Sequence, residues 1–438
     1  MLEYYKENGQ FYLIILVWLL AGMFGGPVIF LVLPGTLVLM RQKGMWEELF
    51  LGFFFILIMS DSELSYLAFA KNIKIVYLVI LAAFFILDMD EFRPLNGIYK
   101  QYIPFFIVAI ICLFFSPSLF VGFQKTFSYI LMFILVPNIV TRLFRETGQK
   151  FFKNLIYFGT TICLAGFILY AIKKEYAFNA IIGRYNGVFG NPNGLGLYAF
   201  LLFALFFTLN DIYENMFTRN EKILIYFAIL FSIVFSNSRN AFLSVVILVL
   251  FAAIFKKSSF LGLIMSIVLF VVNLLVADYI PILIKQLGLE SFFRLHTLQE
   301  LSGRAVAWQF AWTKIQNNYF ISRGFGYDEF TMRANYHMLS RMGTQGGVHS
   351  SYLSLWLNFG LVGALLYMRS FFLVFIKAIK INRVSFSIMY AVLFSAAFEG
   401  LFIGSLNPQM IILLITITII SDPDFKTEEA EIGELQIA

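Results

Sequence analysis

A chain of 438 residues with 60% hydrophobic side chains, 13% charged ones and 54 phenylalanines cannot be a soluble globular protein, which carries roughly a quarter charged residues. The net charge of +6 is too modest to mark a nucleic-acid-binding surface. Cys112 and Cys163 both fall inside apolar runs, where a thiol packs as a small hydrophobe and serves neither a disulfide nor a metal.

The first ten residues are polar, and the apolar stretch after them has no small-residue cleavage pattern, so no cleavable signal peptide is expected. A membrane-spanning helix needs about 20 mostly apolar residues. Such runs predict spans near 11–22, 24–40, 49–60, 75–88, 102–122, 126–141, 151–172, 194–209, 223–236, 240–255, 259–278, 350–376, 384–403 and 408–420. Gly25-Gly26-Pro27 makes the first pair either two short spans or one kinked helix. The expectation is an all-α polytopic protein of about 12–14 spans, forming a single membrane domain over 1–438.

Lys and Arg in short loops stay preferentially cytoplasmic. With the segment after the eleventh span outside, the cytoplasmic loops hold 15 Lys and Arg and the short external loops hold 7. The loop over 279–349 is then a large extracytoplasmic insertion, and the acidic tail over 421–438 is cytoplasmic. Within the insertion, Ser302 is placed to cap a helix. Trp308 and Trp312, four residues apart, would share one face, as suits a helix lying on the membrane interface.

Four polar clusters interrupt this apolar sequence, all on the external side of that topology. Arg184 to Gly194 (RYNGVFGNPNG) leads into the eighth span. Asn193 is placed to cap the helix that follows, and a helix N-terminus beside an arginine can bind an anion. The same residues also read as a capped polar turn. Ser236-Asn237-Ser238-Arg239-Asn240 forms a tight turn in which Arg239 either meets a ligand or snorkels to headgroups. Ser302-Gly303-Arg304 is followed by Arg323-Gly324-Phe325-Gly326, whose Gly-x-Gly lacks the rest of a nucleotide loop and reads as a turn. Gly346-Gly347-Val348-His349-Ser350-Ser351-Tyr352 enters the twelfth span, with His349 as base, cap or structural hydrogen-bonder. His296 and His337 have no supporting context.

Guanidinium forks suit phosphate oxygens, and a neutral imidazole suits proton abstraction. No Cys, His and Asp cluster offers a metal site, so the expectation is a phosphate-bearing substrate handled with neither a metal ion nor a cofactor.

The order of these motifs resembles the bacterial O-antigen ligase and polysaccharide polymerase superfamily over roughly 184–363. The matching residues are Arg184 to Asn193, Ser236 to Arg239, Gly303-Arg304 with Trp308, Gly324 to Gly326, and His349 to Leu353. Asn358-Phe359-Gly360-Leu361-Val362-Gly363 resembles the continuation of that pattern, with Asn358 and Ser350 departing from its commoner residues. The resemblance implies a GT-C-like glycosyltransferase in the bacterial plasma membrane, its active site facing the periplasm or cell exterior. Donor and acceptor would be glycans, the donor linked to undecaprenyl diphosphate. It assigns the diphosphate to Arg184, Arg239, Arg304 and Arg323, and acceptor activation to His349. Asn191, Asn193, Ser238, Ser350 and Tyr352 would support them. Inversion at the anomeric carbon would follow.

A polymerase of lipid-linked repeat units is the reading favoured. The alternatives are a ligase moving glycan to a lipid A core or protein, and a flippase for lipid-linked sugars, for which Glu399 is the main mid-span charge. A chain-length regulator and a flippase of the same pathway are candidate partners.

Overall fold

The computed structural model describes residues 2–179, 183–258, 302–344 and 346–426, with Leu261 and Ile264. The span expected over 259–278, apart from those two residues, lies outside the described residues, as do positions 279–301 with His296 and the tail beyond Lys426.

Seventeen α-helices and one short hairpin occur among the described residues. They are α1 (Leu2–Glu7), α2 (Gly9–Phe24), α3 (Ile29–Gln42), α4 (Trp46–Asp61), α5 (Ala68–Leu87), α6 (Ile98–Leu113), α7 (Leu119–Thr147), α8 (Gln149–Ile172), β1 (Phe178–Asn179), β2 (Arg184–Tyr185), α9 (Pro192–Ile212), α10 (Arg219–Ser236) and α11 (Arg239–Lys257). After the undescribed stretch come α12 (Ser302–Asn317), α13 (Tyr327–Ala334), α14 (Tyr336–Arg341), α15 (Ser351–Ile381), α16 (Ser385–Phe398) and α17 (Pro408–Ser421). Among the described residues, five helices are long and apolar enough to cross a bilayer: Ser65–Leu87, Leu119–Thr147, Gln149–Ile172, Pro192–Ile212 and Ser351–Ile381. Six shorter apolar helices accompany them. Large side chains such as Phe24, Leu31, Phe114, Phe120 and Ile172 are exposed. On a soluble protein such a surface marks aggregation; on a polytopic one it faces acyl chains. The all-α polytopic architecture is as expected.

Two boundaries differ from the sequence reading. The run over 102–122 is broken by a turn at 114–118, and residues from Leu119 onward begin α7 instead. There Ser116 Oγ donates to the carbonyl of Ser118, and Pro117 removes a backbone donor. The run over 384–403 stops at Phe398, because Glu399 turns extended at φ −139°. The Gly25-Gly26-Pro27 break yields two helices joined by a 3₁₀ turn, with Gly26 at φ +53°.

The chain divides into two compact units, 1–100 with 127–242 and 404–438, and 101–126 with 243–403. In the first unit α4, α9 and α17 are buried on nearly every face. A helix that is hydrophobic all round is one that neighbours cover. The same local grammar starts two of them: Asn191 and Asn407 cap α9 and α17 through their side-chain oxygens, each followed by a proline at the first helical position.

The loops that charge counting groups together do meet at one end of this unit. Arg41 forms a bidentate pair with Asp88 at 2.8 and 2.6 Å. Arg142 lies between the rings of Trp46 and Phe92 and pairs with Glu91 and Glu146. Arg145 donates to the carbonyls of Arg93 and Pro94, and Asn96 reaches Asp422. Toward the opposite ends of these helices, the amide of Gly190 donates to the carbonyl of Asp61 and Lys74 donates to that of Leu406.

In the second unit α15 is bent at Gly360, whose φ is +72°. A Cβ there would come within 2.3 Å of the Phe320 carbonyl oxygen, so only glycine fits. The amides of Leu361 and Val362 donate to Tyr319 and Phe320 across this bend. Asn358 fastens the next loop: its carbonyl accepts from Gly324 N at 2.7 Å and its side chain from Asp328 N at 3.0 Å. The Gly324-Phe325-Gly326 motif is thus a turn, with both glycines at positive φ. Phe325 and Phe359 pack edge-to-face beneath it, with Phe105 against both.

Ser302 is itself helical in α12, so it is not the cap. The buried line of this helix is Ala307, Ala311 and Ile315, part of a core shared with Tyr327, Met332, Leu339, Val348 and Leu357. The small-residue face, and not the tryptophan face, is the fully buried one.

Candidate functional site

The sequence-predicted residues fall into two groups, one in each unit. In the first unit the hairpin β1–β2 pairs Asn179 with Arg184 and carries Arg184 inward, where it is 8% exposed. Its Nε donates to the Ser236 carbonyl at 2.8 Å. One terminal nitrogen donates to Asn193 Oδ1 at 2.8 Å and to the Asn237 carbonyl at 3.0 Å. One guanidinium therefore ties the loop before α9 to the C-terminal end of α10, where those carbonyls have no helical partner.

Asn193 does not cap α9 as expected. Pro192 occupies the first helical position, which pushes the cap back to Asn191. The Asn191 side chain accepts from the Asn193 amide at 2.8 Å, while Asn193 is the acceptor for Arg184. Ser238 is buried against Gly196, where a Cβ would meet it at 2.5 Å, so it marks a close approach to α9. Asn237, left-handed at φ +48°, turns the chain so that Arg239 opens α11, half-buried.

In the second unit three charged or titratable groups meet. Glu399, 12% exposed, receives Arg304 at 3.0 Å on one carboxylate oxygen and faces His349 Nδ1 at 3.8 Å with the other. Arg304 and His349 remain 35% and 32% exposed, so both are open to a ligand. The backbone of Glu399 is fixed as well: its carbonyl accepts from Ser351 Oγ at 2.7 Å, and that hydroxyl accepts from Phe402 N.

His349 is held at φ +50°, a conformation rare outside glycine and concentrated at functional sites. The carbonyl of Val348 beside it accepts from the Trp308 indole at 3.0 Å. Ser350 is buried and occupies the cap position of α15, and Tyr352 donates to the Leu393 carbonyl at 2.8 Å. Arg323 is exposed and stacks on the Tyr327 ring, 5.3 Å from its centroid. No His, Cys, Asp and Glu group able to hold a metal occurs among the described residues.

Glu399 is the residue that sequence reasoning misplaced. Its signal was visible, a lone carboxylate closing an apolar run. Its partners lie 50 and 95 positions away, and only the chain path joins them.

With Nδ1 turned to a carboxylate, Nε2 is the imidazole nitrogen left to accept a proton. Glu399 would then stabilise the imidazolium that forms. The arrangement sets a group able to accept a proton beside a carboxylate and a cation able to meet a negative charge.

Residues 224–368 match a family model described as O-antigen ligase. The match takes in Ser238, Arg239, Arg304, Arg323, His349, Ser350 and Tyr352, while Arg184, Asn191, Asn193 and Glu399 lie outside it. No curated protein matches the chain. That match covers about a third of the chain, so this bundle of apolar helices is a multi-pass membrane protein that is similar, over residues 224–368, to the O-antigen ligase family.

Proposed function

We propose that this protein polymerises undecaprenyl-diphosphate-linked oligosaccharide repeat units into a surface polysaccharide at the outer face of the bacterial plasma membrane. The observation that carries the chemistry is Glu399 bridging Arg304 and His349. Nε2 of His349 takes the proton of the acceptor hydroxyl as its oxygen attacks the anomeric carbon of the donor. The bond from that carbon to the diphosphate oxygen breaks, and the lipid diphosphate departs with the bonding pair. Displacement from the opposite face inverts the anomeric centre. Guanidinium groups stabilise the charge that grows on the leaving group, and a positioned base contributes about 10²–10⁴-fold.

Arg304 and Arg323, in the unit that holds His349, are assigned to the diphosphate. In the other unit Arg184 orders the loop that Asn191 and Asn193 occupy. A ligase would use the same groups with a different acceptor, and the family description favours that second reading. The flippase reading loses its main support, because Glu399 sits just past a helix end in an ion pair. Purified protein supplied with a lipid-diphosphate-linked repeat unit should lengthen the glycan and release lipid diphosphate. Movement of the lipid across a vesicle membrane with no new glycosidic bond would overturn the proposal.

A further inference from the structure

A cavity of about 570 Å³ lies wholly within the second unit, between the turn joining α6 to α7 and the outer face of α13. Its walls include the hydroxyl residues Ser116 and Ser118, the aromatic rings of Phe325 and Phe330, and the charged pair Glu329 and Arg333. Lys125 forms a salt bridge with Glu329, and Arg333 reaches the same carboxylate only at 3.9 Å while 84% exposed. Two cations thus meet the Glu329 carboxylate beside this wall, and the buried Asp328 carboxyl lies next to both Glu329 and Lys125.

The surroundings are oily. Phe114, Phe115, Leu119 and Phe120 are exposed along the α6–α7 turn, and Phe320 and Ile321 are exposed on the strand of chain that crosses the α15 bend. The level of this collar relative to His349 follows from the fold. Asn358 holds the Gly324 turn in place, and it lies nine residues beyond His349 in sequence. Seven of these steps are helical, which at the α-helical rise is about 10 Å along α15. A hollow with an exposed arginine in its wall, ringed by exposed apolar side chains and set back from the base by the reach of a short oligosaccharide, suits a phosphate-headed lipid whose glycan extends toward His349.

We propose that this cavity is a second lipid-phosphate site, holding the polyprenyl diphosphate of the acceptor repeat unit. The inference rests on the polymerase reading, since a polymerase joins two lipid-linked substrates and needs a place for each. Arg333 and the Ser118 hydroxyl meet the phosphate oxygens, and the apolar collar takes the first prenyl units.

The test is binding of a short polyprenyl phosphate to the purified full-length protein by native mass spectrometry, read beside steady-state kinetics. Arg333→Ala should weaken binding by about tenfold or more, the scale of one lost charge-assisted hydrogen bond, and should raise KM for the acceptor. Arg333→Lys should restore part of it. Arg333 is exposed, so these variants test binding and not folding. Ala334→Trp, which fills the cavity from an exposed position, should abolish binding. Unchanged affinity in Arg333→Ala and Ala334→Trp would overturn the site. Equal binding of phosphatidylglycerol would overturn its assignment to the acceptor. The binding readout is separate from the His349 chemistry: a failed lipid site leaves the transferase intact, and a turnover-competent His349→Ala would remove the proposed base while leaving lipid binding unchanged.

Discussion

The two regions that hold the predicted site residues treat their charges in opposite ways. Around Arg184 the guanidinium is buried, and its described hydrogen bonds go to two main-chain carbonyls and one side-chain amide. Around His349 the imidazole and the Arg304 guanidinium are about one-third exposed, and both converge on one carboxylate. A buried cation whose bonds go to backbone groups fixes a loop. Partly exposed groups that share one carboxylate keep hydrogen-bonding capacity for a ligand. Motif residues of one family pattern can thus divide into those that build the scaffold and those that meet the substrate.

The comparison breaks most sharply at His349. His349→Ala should lower glycosyl transfer by about 10²–10⁴-fold with insertion and thermal stability unchanged. Turnover near the wild-type rate would show that the second region is not the reacting one.

Glu399→Gln should follow, with a loss in kcat of about ten- to a hundredfold and little change in KM for the donor. Such a split marks an interaction made in the transition state. Glu399→Asp should recover part of the rate. A change confined to Tm, with kcat intact, would make the carboxylate a structural counter-ion of Arg304.

Arg184→Ala tests the other region. It leaves the carbonyls of Ser236 and Asn237 without this donor, a cost of about 2–4 kcal/mol, read as a fall in Tm. Arg184→Lys should not restore it, because an ammonium lacks the planar fork that reaches three acceptors. Full stability with weakened donor binding would move Arg184 from scaffold to ligand site and erase the contrast.

The smallest effect is expected at Asp328, in the loop segment of the second unit. Burial, reinforced by neighbouring Glu329, pushes its carboxyl above the usual range. A carboxyl raised on folding adds stability that is fully present below its unfolded pKa. That stability is lost as pH rises through the folded value. Asp328→Asn should therefore flatten the loss of stability on going from acid to neutral pH, by about 1 kcal/mol or less. Thermal melts across that range would check it, and an unchanged pH slope would count against the burial argument.

Much of the fold was legible because membrane helices announce themselves by composition. Apolar runs needed no partner to be recognised, and charge counting grouped the loops that Arg41, Arg142 and Asn96 gather at one end of the first unit. Local breakers were readable at Gly26 and Gly324, which stand at positive φ, whereas the bend at Gly360 falls inside a run that reads as one continuous span. The errors came where neighbouring elements decide: Asn191 displaced Asn193 as cap, and the turn at 114–118 cut an apolar run that hydropathy could not divide.

By itself the sequence determined an all-helical membrane chain, the order of its motifs and the residue types available for phosphate and proton chemistry. These follow from transfer free energies and local backbone geometry, which each short segment carries alone. Tertiary structure decided that Glu399 turns out of α16 to meet Arg304 and His349, and that Arg184 is enclosed by its own loop. Such assignments depend on distances between residues remote in sequence, and those distances are set by how the helices pack.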